Sequence, residues 1–539
     1  MLAGTTALGT GGSVTAGAGT SDTLSMAAAD AATASLTTTL AGVVTGFERF
    51  ATTSAAQTVD LAKLMGANNN YATVTGAAAT LVLKNMNTSG AGSTVNLNAT
   101  TAQGNTGLTL NGSAGSGASD VLNLNLVDTT VLGTVVGFGT VTANNVETVH
   151  LTVNDSRTTT VPASVANTVV LADTGLSVLS ITGNQGLALS HAGTTLTSLD
   201  ASGMTLGALS YTSGALQYAA TAKGTTTGGD ALDFSAALDT VNVTEYAGAN
   251  TVTGGVGADT IVGGTGVDVI YADNAGTKGI RTLTSADAGI LAGDVITAVI
   301  NGTTVTYTMV GGDVGGDAAA DLLASTTLLA AAINANTSLS KLVTASAALG
   351  VITITSLTDG VLAVSGTSTD GATALTASAA SGTVGATASN VLTGGTGADL
   401  YVFGATNAAP SATVFNTING FVTASDIIKY APAELTIVTD ATAAVAGRAT
   451  TSAAGVATFV AADDTLAERI IATEASIATG IPTSGQVAMF QFGADAYVFI
   501  SNGTDGVGAG DQLIKLVGVD TTATAFDTIT IAGHNITLA

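Results

Sequence analysis

Three nine-residue blocks constrain this chain more than any other feature of it. Residues 254–262 read Gly-Gly-Val-Gly-Ala-Asp-Thr-Ile-Val, residues 263–271 follow directly as Gly-Gly-Thr-Gly-Val-Asp-Val-Ile-Tyr, and residues 394–402 return to the pattern as Gly-Gly-Thr-Gly-Ala-Asp-Leu-Tyr-Val. All three fit G-G-x-G-x-D-x-U-x, a nonapeptide of coiled β architectures. Glycine has no Cβ and reaches positive φ at low cost, so these turns can bring backbone carbonyls close to a shared point. Asp259, Asp268 and Asp399 each add a carboxylate at the end of such a turn, and position eight (Ile261, Ile270, Tyr401) is expected to turn inward from a short strand. Carbonyl and carboxylate oxygens are the ligands of Ca²⁺, which takes six to eight of them. The candidate metal ligands and cradle residues are therefore Gly254, Gly255, Gly257 and Asp259; Gly263, Gly264, Gly266 and Asp268; and Gly394, Gly395, Gly397 and Asp399.

Two nonapeptides make one coil, so same-side partners should stand two repeats apart in the sequence. Counting back nine from Gly254 gives a weaker copy, residues 245–253, with Gly248, Asn250 and Val252 at positions four, six and eight. Counting back nine from Gly394 gives residues 385–393, which keep Asn390 and Leu392. Asn250 and Asn390 thus offer an amide oxygen where the other copies have Asp. The spacing predicts one roll over about 228–403, with Asp268 between Asn250 and Asp399 on one edge and Asp259 facing Asn390 on the other. The residues between Asn274 and about Gly385 would then be looped out. A second candidate metal loop, Asn502-Gly503-Thr504-Asp505-Gly506 with Asp511, lies in the tail and does not follow the EF-hand pattern.

Charge narrows the partners. Twelve Lys and Arg against 37 Asp and Glu leave a net charge of −25. Such a surface disfavours nucleic acid and anionic lipid and favours cations. The chain has no cysteine, which removes disulfides and thiolate metal sites. A 46% hydrophobic content with only 4% aromatics and 68 Gly suits a β-solenoid better than a helix bundle. Mean hydropathy is +0.50, yet no apolar run is long enough to span a bilayer, so no transmembrane helix is expected. The first basic residue is Arg49, so no secretory signal with a positive n-region is expected at this N-terminus.

Internal similarity extends upstream. Gly19-Thr20-Ser21-Asp22-Thr23-Leu24 is echoed by Gly117-Ala118-Ser119-Asp120-Val121-Leu122, and each is followed by an apolar-Glu pair, Phe47-Glu48 and Val146-Glu147. A shorter echo starts at Gly228. Alternating runs such as Leu122-Asn123-Leu124-Asn125-Leu126 and Val149-His150-Leu151-Thr152-Val153 mark half-buried strands between Gly/Asn/Ser/Thr turns. With few edge-guarding charges, stacked coils are expected rather than open sheets, a series of β-sandwiches being the alternative. The fold class read here is mainly β: a parallel β-helix or solenoid with a calcium-binding roll and an inserted small α+β module. The expected units are 1–117 and 118–227 as two solenoid copies, 228–275 as the roll, 276–384 as the module, 385–410 as the roll's continuation, and 411–539 as a C-terminal capping β domain. The module should contain a hairpin about Asn301-Gly302, a helix capped by Asp317 with Leu322, Leu329, Ala330 and Ile333 on its apolar face, and a strand at Val351-Ile352-Thr353-Ile354.

The nonapeptides, the stretch 394–403, the block Phe415-Asn416-Thr417-Ile418-Asn419-Gly420-Phe421 with Asp426, the tail 490–499 and 511–519, and the terminal Ile536-Thr537-Leu538-Ala539 together resemble the C-terminal region of RTX-type bacterial surface-layer (S-layer) proteins. That resemblance implies export by type I secretion machinery through an uncleaved C-terminal signal, folding outside the cell in millimolar calcium, and self-assembly into a two-dimensional crystalline lattice on the cell surface. It also implies a grip on lipopolysaccharide, although the chain leaves no room before the solenoid for the N-terminal domain that usually provides it. The alternative is a secreted calcium-dependent RTX adhesin. An enzyme is not expected: His150, His191 and His534 form no H-E-x-x-H, and no G-x-S-x-G occurs. Each ring is expected to be solvent-facing or hydrogen-bonded.

Overall fold

The computed structural model describes residues 12–538 except 53–56, 66–68, 70, 72, 77–81, 87–92, 100–105, 111–119, 129–134, 145, 156–165, 174, 256, 273–277, 286–289, 301–302, 315–317, 337–338, 340–342, 349, 360–363, 370–374, 379–388, 405–408, 424, 478–482 and 521–527. The chain is mainly β, with long sheets of parallel strands.

Period-two alternation sets the strands. In Val121–Asp128 the side chains of Leu122, Leu124 and Leu126 are fully buried while Asn123 and Asn125 lie on the other face. Thr148–Asp155 does the same with Val149, Leu151 and Val153. Successive strands then alternate between two sheets. Val121–Asp128, Thr148–Asp155, Val178–Gly183, Ser198–Met204, Ala220–Lys223, Val241–Thr244 and Thr260–Thr265 pair in parallel in the first sheet. Gly137–Asn144, Ala166–Ala172, Gly186–His191, Leu209–Thr212, Ala231–Asp233, Thr251–Thr253 and Val269–Ala272 pair in parallel in the second. Each strand thus bonds to the strand two elements on, an arrangement compatible with a β-solenoid. Both sheets begin upstream, the first at Thr23–Met26 and the second at Thr58–Asp60.

One apolar core runs between the sheets, from Leu24 and Phe50 through Ile261 and Ile270 to Ile418 and Ile428. Each fully buried Leu, Ile or Val contributes about 1.5–3 kcal/mol relative to exposure, so stacking coil on coil is what makes short strands stable. Pairing is continuous across residues 117/118 and 227/228: Ser93–Ala99 bonds to Val121–Asp128, and Leu209–Thr212 to Ala231–Asp233.

The segment after Val269–Ala272 leaves the stack and returns to it. Thr260 pairs with Val391 and Val269 with Leu400, so the coil after the excursion lies directly on the coil before it. The excursion has its own core, built by Leu283, Ile296, Leu329, Ile333 and Ile352, which shares no residue with the core of the stack. It holds the antiparallel hairpin Val295–Ile300/Thr303–Thr308, the helix Ala318–Ala335 and the strand Val351–Asp359. Leu329, Ala330 and Ile333 are buried and Leu322 partly so, as the periodicity predicts. The Asn301-Gly302 turn and the Asp317 cap lie outside the described residues. Excising residues 273–384 would join Ala272 to Gly385–Asn390, a link as long as Gly254–Asp259 in the preceding coil. That shortened chain is expected to keep its far-ultraviolet β spectrum and its cooperative melt. An unfolded product would show that the stacked strands depend on the module.

After Ile427–Tyr430 antiparallel pairings join the parallel ones. Gln512–Leu516 lies parallel on Asn416–Asn419 and carries Asp495–Ile500 and Gln486–Phe492 outward from it. The hairpin Ile529–Ala532/Asn535–Leu538 closes the second sheet against Ile427–Tyr430. Leu466–Ile477 is a helix started by a capping box, in which Glu468 accepts the Thr465 N–H (2.9 Å) and Thr465 Oγ1 accepts the Glu468 N–H (3.2 Å). The sequence reading did not identify this helix. Among the described residues no helix is long and apolar enough to cross a membrane.

Candidate metal ladder

At the turns that enter the last five parallel strands of the second sheet stands one acidic or amide residue each: Asp230, Asn250, Asp268, Asp399 and Asp426. Each reaches back one coil with a side-chain oxygen. Asp230 Oδ1 accepts the Leu209 N–H, Asn250 Oδ1 the Asp230 N–H, Asp268 Oδ1 the Asn250 N–H, Asp399 Oδ1 the Asp268 N–H, and Asp426 Oδ1 the Asp399 N–H, at 2.8–3.0 Å. The other edge repeats the device, with Asp259 accepting the Val241 N–H (2.7 Å), Asn390 the Asp259 N–H (2.8 Å) and Asn416 the Asn390 N–H (3.1 Å). The structure therefore places Asp268 between Asn250 and Asp399 and Asp259 against Asn390. The two-repeat step appears between Asn250 and Asp268 and between Val241 and Asp259.

The second oxygen of each rung distinguishes ends from middle. Asp426 Oδ2 accepts the Val422 N–H (2.9 Å) and Asp230 Oδ2 accepts the Thr225 N–H (2.6 Å). Asn250 carries an NH₂ at this place, which donates to the Gly263 carbonyl (2.8 Å) and the Gly248 carbonyl (3.3 Å). Asp268 and Asp399 carry an oxygen there instead. Both residues are at most 1% exposed, and neither Oδ2 has a hydrogen-bond donor. Among the described residues no Lys, Arg or His side chain pairs with either.

Burial raises the Asp268 carboxyl above its ordinary range, against the opposing pull of the Asn250 N–H. Burial also raises Asp399, and the charges of Asp426 and Asp268 add to it. A buried anionic oxygen facing carbonyls calls for a positive partner.

The glycines make this geometry possible. A methyl on Gly263 would stand 2.5 Å from Asp268 Oδ2 and 2.7 Å from the Gly394 carbonyl oxygen, so those two oxygens converge on one spot. Gly254 and Gly394 lie closer still against the carboxylates of Asp259 and Asp399. Gly266 stacks on the Gly248 carbonyl and Gly397 on the Gly266 carbonyl, while Gly395 stacks on Gly264. Gly255 packs on Ala237 and Gly257 on the backbone of Thr240. Ile261, Ile270 and Tyr401 are buried, and the Tyr401 hydroxyl accepts the Gly394 N–H at 2.9 Å.

Among the described residues no three His, Cys, Asp or Glu side chains converge as a ready metal group. The residues nevertheless fit a hard cation bound by one carboxylate per coil together with backbone carbonyls. Two such ions, one at the Asp268 rung beside the Gly394 carbonyl and one at the Asp399 rung over Gly394, would each neutralise one orphaned oxygen. Replacing Asp268 and Asp399 by Asn should place an NH₂ where Oδ2 stands, as Asn250 already does. In chelator, thermal melts should show the double variant more stable than the wild type by about 1–3 kcal/mol per site, with its calcium response lost at both. A variant melting below the wild type in chelator would contradict this account.

The tail candidates fare differently. Each Asp511 oxygen accepts one backbone N–H of its own loop, from Asn502 (2.7 Å) and Gly508 (2.8 Å), and Asp505 is exposed, so no orphaned oxygen marks this loop as one marks the Asp268 and Asp399 rungs.

Other side chains form rungs that the sequence does not announce. Glu48 accepts the Asp22 N–H (2.9 Å) and Glu147 the Asp120 N–H (2.8 Å), the same rung in earlier coils. The Asp/Glu echoes at those positions were the available signal. Asn69, Asn167 and Asn184 make similar rungs, and nothing in the sequence separates them from turn asparagines. His191 is buried, bonded to Asp173 (2.7 Å) and Tyr211 (3.2 Å); His150 is exposed and His534 donates to the Tyr430 carbonyl. No protein-family profile matches the chain, and no curated protein matches it.

Proposed function

We propose that this protein is a calcium-dependent structural component of a bacterial cell-surface coat, with an RTX-type β-roll at residues 228–275 and 385–410 as its metal-controlled element. The single observation that supports it is the pair of buried Asp268 and Asp399 oxygens, without donors, at glycine cradles in stacked coils. In a cytosol poor in calcium, those carboxylates oppose closure of the roll. In millimolar calcium outside the cell, binding free energy becomes folding free energy. That order suits export of an unfolded chain by type I secretion machinery.

The net charge of −25 keeps calcium-free molecules apart, and divalent ions lower that repulsion. The assembling partner is a second copy of the chain, in a two-dimensional lattice at the cell surface, with lipopolysaccharide as the candidate support. Negative-stain electron microscopy of the purified full chain tests this. Ordered sheets that form with millimolar Ca²⁺ and dissolve in EGTA are expected. Dispersed particles in both conditions would overturn the coat, and dispersed particles with a saturable surface ligand would identify a calcium-dependent adhesin instead.

A further inference from the structure

We propose that Glu245 and Asp230 form an additional divalent-cation site, one coil before the second consensus nonapeptide. Strand pairing aligns Lys223 with Thr244 and Thr244 with Val262, so Gly224, Glu245 and Gly263 occupy one position in three successive coils. In the consensus copies that position is glycine, and its missing side chain leaves room for the Asp of its own coil. Glu245 fills the position with a carboxylate that lies back over Gly224. A methyl on Gly224 would overlap Glu245 Oε2 and stand 2.6 Å from Asp230 Oδ2, so both acids meet there.

The two acids are held in unlike ways. Asp230 is 1% exposed and fixed by the Leu209 N–H, the Thr225 N–H and the Thr225 hydroxyl. Glu245 is 2% exposed, and neither of its oxygens has a donor. Burial, then Asp230, then Asp268 push the Glu245 carboxyl up to about 10. Among the described residues no basic side chain pairs with either acid. An unpartnered, buried carboxylate aimed at a second, rigidly held one is a cation site built from oxygen alone. It contains no nitrogen or sulfur donor, which selects a hard ion such as Ca²⁺ over zinc or copper. It brings two carboxylates where the Asp268 rung brings one beside a carbonyl, so it should bind more tightly.

The site deepens the function proposed above and rests on calcium entering the stack. Equilibrium dialysis of the full chain against calcium, with the metal counted by mass spectrometry, tests both separately. E245Q is expected to hold one ion fewer than the wild type while keeping the ions lost in D268N. In EGTA, E245Q should melt above the wild type; in calcium, below it. Equal ion counts and affinities for E245Q and wild type would overturn this site alone and leave Glu245 and Asp230 as a proton-sharing pair. A wild type that binds no calcium would overturn the function proposed above as well. Should E245Q not fold, E245G, which restores the glycine of the neighbouring coils, carries the same count.

Discussion

Titrating the full chain with EGTA is expected to lower its melting temperature by about 5 °C and to remove a large part of its β circular dichroism. A site held at a hundred times its dissociation constant stabilises the folded state by about 2.7 kcal/mol, and on the function proposed above the orphaned oxygens of Asp268 and Asp399 would supply two. At roughly 1 °C per kcal/mol for a chain of this length, two sites give the shift. Magnesium should substitute poorly, because it demands octahedral geometry and sheds water reluctantly.

The pH dependence gives a second signature. Burial raises the folded-state pKa of Asp268 and of Asp399 above the unfolded value near 3.8. A carboxyl of that kind contributes stability below its unfolded pKa and loses it as pH rises through the folded one. Calcium-free protein should therefore weaken from about pH 4 towards neutrality. The increment from calcium should grow over the same range, since protons compete with the metal. Superimposable melts with calcium and with EGTA at pH 7 would remove the metal from the account.

Gly395→Ala is the substitution expected to cost most. Gly395 sits at φ +106°, where an L side chain is strained, and its Cβ would overlap the Gly264 carbonyl of the coil beneath. A flexible side chain could move aside, but this obstacle is backbone held in the same stack. The loss should be on the order of 3–5 kcal/mol, and saturating calcium should not restore the wild-type melting temperature. Gly311→Ala is the control: Gly311 lies in the inserted module, with nothing within 4 Å of its would-be Cβ, and its effect should stay within about 0.5 kcal/mol. Equal melting temperatures for the two variants would mean that the stacked turns are not in contact.

The coil between residues 254 and 271 was legible because glycine and aspartate recur at fixed spacing, and each has one physical reason to be there. Even the return of the chain at Val391 could be read, since the pattern resumes in phase after the long excursion. Upstream the same architecture is hidden. Asn242 pairs with Thr260, two nonapeptides on, whereas Thr148 pairs with Val178 across a much longer winding, so no constant period survives. Alternation in Val121–Asp128 announces a strand but not which of two sheets receives it. Glu245 was passed over for a related reason: it stands where the consensus has glycine, and only the strand register shows that its carboxylate overlies Gly224 and Asp230.

The caps on the ladder carry an evolutionary consequence. Asp230 and Asp426 each spend one oxygen on the coil before and the other on a loop N–H, while the rungs between them are interchangeable, each touching only the turn before and the turn after. Whole windings can then be gained or lost by recombination within the gene without disturbing either terminus. Kindred sequences should differ in length by one winding at a time, and the number of metal ions they carry should rise and fall in step.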